Sequence, residues 1–415
     1  MSSDFRILFF TRIIRLFAYG FLSVALALYL SAIGMTNFEI GLLLSLTLLG
    51  DVFVSMWITI VADRVGRKRM LILGSLLMAG AGVVFIFSVN PIILTLAAII
   101  GIISPSGNEI GPFLSIEQAS LAQIVPNEKR TWIFSWYNLA GSFATAAGAL
   151  CSGWIVFVLK EIGIGEISSY RAVLFTYAIA GIVLMFLFVK LSPNTETPKR
   201  ERIKTDSEAL QLRFGLHRSK KIVMKLSALF TLDSFAGGFV IQSLMVYWFN
   251  IRFGADITIL GSVFFAANLL AGVSALMAAR IAKWIGLVNT MVFTHIPSNI
   301  LLILIPLMPN FTLAVILLLL RFSISQMDVP ARQSYTMAVV DSDERTAASG
   351  ITNTIRSIGA SLSPVLVGLF LSNPALLCLP FFFAGGLKIV YDLAFFRVFR
   401  HIRPPEEENR NKRNL

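Results

Sequence analysis

Residues 62–69 read Ala62-Asp63-Arg64-Val65-Gly66-Arg67-Lys68-Arg69 and lie between two apolar runs, 39–61 and 70–89. Each run is long enough, at about 20 residues, for a helix to cross a hydrocarbon core. The loop between them is charged at five of its eight positions, so it belongs in water. Gly66 supplies the conformational freedom for a tight turn between two helices. The segment therefore reads as a hairpin of two membrane helices closed by a short basic loop.

The same reading extends outward over all 415 residues. Apolar stretches fall at 8–31, 39–61, 70–89, 92–123, 133–158, 171–191, 223–249, 258–282, 288–308, 312–339, 347–371 and 374–396, which predicts an all-α membrane protein with twelve transmembrane helices. Composition agrees: 56% of residues are hydrophobic and 14% charged, with mean hydropathy +0.78. A soluble domain is nearer 45–50% apolar, so lipid is the expected solvent. The net charge of +12 does not signal nucleic acid, because the basic residues sit between apolar runs and not along one polar face. Cys151 and Cys378 both lie in apolar segments and are expected to be buried thiols. The first apolar run contains arginines and continues past Leu30, which fits a span and not a cleavable signal peptide.

Lys and Arg set the orientation. Most of the 35 fall in loops and termini on one side of the membrane; Lys160, Arg171 and Arg252 fall on the other, and Arg321, Arg332, Arg356 and Lys388 lie within spans. The even number of spans then places both termini on the basic, cytoplasmic side of the cell membrane. The polar stretch 192–221 divides the chain into a six-helix bundle at 1–191 and a second at 222–400, with a polar cytoplasmic tail at 401–415. The linker's basic residues suit topology signalling and contact with anionic lipid.

The two bundles repeat each other. Arg15-Leu-Phe-Ala-Tyr-Gly-Phe21 aligns with Asp233-Ser-Phe-Ala-Gly-Gly-Phe239, Tyr29 with Tyr247, Asn138 with Asn353, Gly153 with Gly368, and Glu128-Lys-Arg-Thr131 with Asp343-Glu-Arg-Thr346. Parallel repeats predict two pseudo-symmetric bundles with a substrate site between them.

The loop 62–69 resembles the major facilitator signature Gly-x-Leu-Ala-Asp-Arg-x-Gly-Arg-Arg/Lys and lies where that family places it. With twelve spans, a basic central linker and an internal repeat, the resemblance covers essentially the whole chain. Thr59 stands where the family usually has glycine. The second copy, Ala282-Lys-Trp-Ile-Gly286-Leu287, has Lys283 in place of the aspartate. The resemblance implies a non-enzymatic secondary transporter with an alternating-access cavity, in which Asp63, Arg64, Gly66, Arg67 and Lys68 form a gating loop. It implies that Asp63 latches onto the N-terminal end of the eleventh span, whose dipole favours an anion; the alternative is that the loop's cations act only as topology signals.

Ionisable groups inside spans are costly and mark functional positions. Arg321, Ser325, Asp328, Arg332 and Tyr335 share one stripe of the tenth span, which should face the cavity. Asp328 and Arg332 are spaced to pair, and Pro330 between them marks a bend. In the fourth span, Ser104-Pro-Ser-Gly-Asn-Glu109-Ile-Gly-Pro112 predicts a broken helix, which is tolerated at membrane depth where it lines a cavity. Glu109 and Glu117 are candidate proton carriers, with Glu109 equally suited to cap freed amides. Asp51 has no obvious local partner and ranks with Glu109. Asn138, Ser142, Thr145 and Ser152 share a face of the fifth span, serving either the cavity or helix packing. Arg356 lies in an unassigned environment, and Lys388 and Asp392 are expected to pair. In the repeat, Arg15 aligns with Asp233 and Glu117 with Arg332. These opposite charges are expected to bridge the halves as a gate when the cytoplasmic side closes and to separate when it opens.

No Walker loop, zinc motif or nucleophile elbow is present, so neither cofactor nor metal is expected. The fifth span lacks the Gly-Pro pair of the family's drug antiporters. The expected activity is proton-coupled antiport, exporting a small organic or drug-like compound, by a monomer. The alternatives are uptake of a small anionic solute, uncoupled facilitated diffusion, and a transporter-like sensor that binds without translocating.

Overall fold

In a computed structural model of the protein, residues 3–108, 112–125, 127–196, 219–341 and 344–401 are described. Glu109, most of the 192–221 linker, Asp343 and the 402–415 tail lie outside them, as do the side chains of Asp63, Arg64 and residues 127–132. The described residues form α1 (Ser3–Ala32), α2 (Asn37–Val65), α3 (Arg67–Phe87), α4 (Pro91–Ile100), α5 (Phe113–Ile124), α6 (Asn127–Glu161), α7 (Glu166–Val189) and α8 (Lys220–Gly238). They continue with α9 (Gln242–Phe253), α10 (Ile257–Ile285), α11 (Leu287–Leu304), α12 (Phe311–Ile324), α13 (Asp328–Val339), α14 (Arg345–Ser361), α15 (Ser363–Leu371) and α16 (Leu379–Phe399).

Local chemistry sets the boundaries. Thr36 and Glu39 form a reciprocal capping box at the start of α2, satisfying two amides that would otherwise lack partners. Asn90 caps α4, accepting the Ile92 amide at 2.9 Å, and Asn310 caps α12, accepting the Leu313 amide at 3.0 Å. Between α2 and α3 the chain turns at Gly66 with φ of 120°, and between α10 and α11 at Gly286 with φ of 87°. The second loop has lost its aspartate but keeps the glycine geometry.

Among the described residues, eleven helical segments are long and apolar enough to cross a membrane, and Pro91–Ile100 is a shorter apolar helix. That helix and α5 are the two parts of the fourth expected span, which breaks between Ile100 and Phe113. The seventh expected span breaks at Phe239–Ile241 and the tenth at Ser325–Met327. Pro330 occupies the third position of α13, in the turn whose amides have no intrahelical acceptor, so the break precedes it.

Contacts group the chain into two compact units, Met1–Gln211 with Ile241–Ala266, and Leu212–Val240 with Ala267–Leu415. In the first, α1 packs closely on α6 and α3 on α7. A Cβ on Gly20 would stand 2.1 Å from the Thr145 carbonyl oxygen, and one on Gly148 the same distance from that of Phe17. With no lipid-excluded hydrophobic force between spans, such small residues let backbones meet. In the second unit, α8 packs on α14 and α11 on α16. Large apolar side chains such as Phe87, Ile92 and Trp154 in the first unit, and Phe293 and Leu393 in the second, are mostly exposed. Water does not favour so much apolar surface, whereas acyl chains do. Cys151 and Cys378 are free and half-buried.

Candidate functional site

Thr11 and Arg15 are one turn apart on α1, so both project from one face. That face meets α5, which carries Glu117. Arg15 donates from both terminal nitrogens to the two Glu117 carboxylate oxygens at 2.7 Å each. Thr11 adds a donor at 2.9 Å, and the Tyr137 hydroxyl from α6 donates to the second oxygen. Arg15 and Glu117 are both fully buried. The Arg15 guanidinium lies 4.7 Å above the Phe113 ring, one turn before Glu117. Beside it, Arg12 donates to the Tyr137 carbonyl at 2.8 Å and to Asn138 Oδ1 at 3.1 Å. A forked, fully donated carboxylate is the arrangement in which a buried ion pair is best compensated.

The equivalent place in the second half holds the same pairing with its charges exchanged. Asp233 on α8 accepts Arg332 Nη1 of α13 at 2.9 Å and Lys388 Nζ of α16 at 2.6 Å. Arg332 also meets Asp328 at 3.3 Å, as the sequence spacing predicts, and lies 5.6 Å from the Phe230 ring centre. Arg356 on α14 donates to Ser234 Oγ at 3.1 Å. Arg321, Ser325, Asp328, Arg332 and Tyr335 are all buried; the stripe is enclosed by protein and does not face acyl chains.

Arg15 thus holds Glu117 and Arg332 holds Asp233, each pair within its own unit. Lys388 and Asp392 do not form the expected pair. Lys388 reaches Asp233, and Asp392 accepts from His295 Nδ1 at 2.8 Å and Asn299 Nδ2 at 3.1 Å. No charge-pattern signal on a single helix reports a carboxylate on the helix packed against it.

Asp51 accepts a hydrogen bond from Ser55 Oγ at 3.0 Å, a partner one turn on. The fourth span's break is satisfied from within the first unit. Tyr177 donates its hydroxyl to the Ile102 carbonyl. The Pro105 carbonyl accepts the Ser243 amide at 3.0 Å and the Ser243 hydroxyl at 2.7 Å, while Gln242 donates to Ser23 Oγ at 2.8 Å. Non-helical backbone in a membrane needs such partners.

In the loop 62–69, Glu196 was not singled out by sequence. Its carboxylate accepts the backbone amides of Arg67 at 2.8 Å and Lys68 at 3.2 Å, the positive end of α3. Arg67 donates to Gln123 Oε1 at 2.9 Å and Lys68 to the Leu191 carbonyl at 2.9 Å. Farther on, Glu344 accepts the Ser219 amide at 2.8 Å where α8 begins. Thr11, Arg12, Tyr137 and His295 also escaped sequence reading. An arginine inside an apolar run was the available signal for Arg12; the others resemble ordinary span residues.

A sequence profile of the Major Facilitator Superfamily matches residues 8–364. An uncharacterized membrane protein of Saccharomyces cerevisiae is 34% identical over 423 residues, covering 96% of this chain and 94% of that protein. Among solved structures, the nucleoside transporter NupG superposes with TM-score 0.73 at 15% identity, covering 96% of this chain and 100% of the other. A D-xylose–proton symporter superposes with TM-score 0.74 at 14% identity, covering 95% and 98%.

Proposed function

The chain belongs to the Major Facilitator Superfamily, and from that premise we propose that it is a proton-coupled secondary active transporter that moves a small solute by alternating access. One observation carries the coupling: each half buries an acid–base pair at repeat-equivalent positions, Arg15–Glu117 and Arg332–Asp233. Such pairs cost desolvation, and in a membrane they mark ion and substrate paths. The chain sits in the cell membrane with both termini cytoplasmic, supported by the placement of Lys and Arg, and works as a monomer. Export of a small organic or drug-like compound is the direction we assign, supported by the 62–69 loop.

A second reading, uptake of a small anionic solute, has its own support. The cluster in the second half holds Arg321, Arg332, Arg356 and Lys388 against Asp233, Asp328 and Asp392, an excess of cation. Arg321 Nε and Ser325 Oγ, one turn apart, are buried without hydrogen-bond partners. Unpaired donors of this kind suit an anion.

A thermal-shift screen of metabolites and drugs on the purified protein identifies a ligand, since binding raises apparent stability. Counterflow of that ligand, labelled, in liposomes then tests translocation. Binding without counterflow overturns the transport reading in favour of a sensor. Counterflow with no response to an imposed pH gradient overturns the coupling and leaves facilitated diffusion. An anion that binds wild type but not Arg321→Met favours the second reading.

A further inference from the structure

We propose that the His295–Asp392 pair is the binding site of the coupling proton, and that its protonation decides whether Lys388 stays on Asp233. The proposal rests on the proton-coupled reading above. His295 on α11 and Asp392 on α16 are both buried, with Nδ1 and Oδ1 2.8 Å apart, and Asn299 holds the other carboxylate oxygen at 3.1 Å. Imidazole is the side chain whose ordinary titration falls near neutral pH.

The surroundings fix what that proton does. From α16, Lys388 lies one turn before Asp392, and the Tyr391 ring centre lies 6.2 Å from that of His295. Also packed on α11 are α12 and α13, which carry Arg321, Asp328, Arg332 and Tyr335. The turn Ile305–Leu307 packs there too and has no titratable side chain. Asp233 on α8 and Arg356 on α14 complete the charged set. With the proton on His295, the imidazolium compensates Asp392, and Lys388 remains on Asp233 at 2.6 Å. Without it, Asp392 keeps the Asn299 hydrogen bond but loses its cationic partner, and it stands one helical turn from Lys388, at the spacing where side chains on one helix meet. Asp392 then competes for the ammonium, and Asp233 keeps only Arg332. The tie between α8 and α16 loosens. No covalent bond forms; the proton enters from water on one side and leaves to water on the other.

The test needs no substrate. The full chain, with its three histidines labelled with nitrogen-15, is placed in lipid nanodiscs and titrated by NMR. His217→Gln and His401→Gln leave His295 as the remaining signal. The expected result is a reversible, pH-dependent change in the His295 signal whose position on the pH axis moves in Asp392→Asn. Hydrogen exchange, corrected for intrinsic rates, should show α8 and α16 losing protection by about tenfold on deprotonation, and Asp392→Asn should abolish that change. An imidazole fixed in one state throughout the titration overturns the proposal. Titration with unchanged protection overturns the Lys388 exchange and reduces the trio to a structural core. Normal titration with no counterflow of any binding ligand sinks the transport reading instead, so the two failures are distinguishable.

Discussion

Arg15 holds Glu117 through two parallel hydrogen bonds of 2.7 Å between α1 and α5, and neither side chain is exposed. Removing one partner strands a buried charge, whereas removing both leaves apolar packing beside the neutral Thr11 and Tyr137 hydroxyls. Glu117→Gln should therefore cost about 3–5 kcal/mol, read as a large drop in melting temperature in detergent. Arg15→Met with Glu117→Leu should recover most of that stability. If the double variant melts no higher than the single, the pair is not the main stabilising relationship at this site.

The loop at Gly66 gives a second test. Its φ of 120° is a conformation that side chains resist, and an added Cβ would also crowd the Glu196 carboxylate at 3.1 Å. Gly66→Ala should cost about 1–3 kcal/mol, and Glu196→Gln about 1 kcal/mol through the weakened cap on α3. Melting curves of both variants and their combination check this, with less-than-additive loss expected because the sites touch. Full additivity would argue against the contact.

Close approach of α1 and α6 predicts a contrast among glycines. Gly20→Leu and Gly148→Leu force the backbones of α1 and α6 apart, since even a Cβ would stand 2.1 Å from a carbonyl oxygen. Gly80→Ala meets nothing within 4 Å. Size-exclusion profiles should show aggregated or absent protein for the first two and normal yield for the third. Equal yields would mean that α1 and α6 do not pack this closely.

Ser243 supplies both an amide and a hydroxyl to the Pro105 carbonyl. Ser243→Ala keeps the amide and should cost about 1 kcal/mol. Gln242→Leu leaves Ser23 without its donor, and the pair of changes should raise hydrogen exchange in residues 101–108 above that of either alone. Unaltered exchange there would show that the break in the fourth span does not depend on these bonds.

What the sequence determined by itself was the number and kind of elements. Apolar run length sets how often the chain crosses a bilayer, and glycine and proline at 104–112 announce a broken span, because these are properties of a few adjacent residues. It also marked Arg15, Glu117, Asp233, Asp328, Arg332 and Lys388, since any charge in an apolar run stands out. Only the tertiary structure decided the partners. A buried charge pairs with whichever opposite charge helix packing brings within about 3 Å, and that depends on rotations and depths of helices a hundred residues apart. So Arg15 found Glu117, Lys388 found Asp233 and not Asp392, and a histidine without any local motif became a carboxylate's partner.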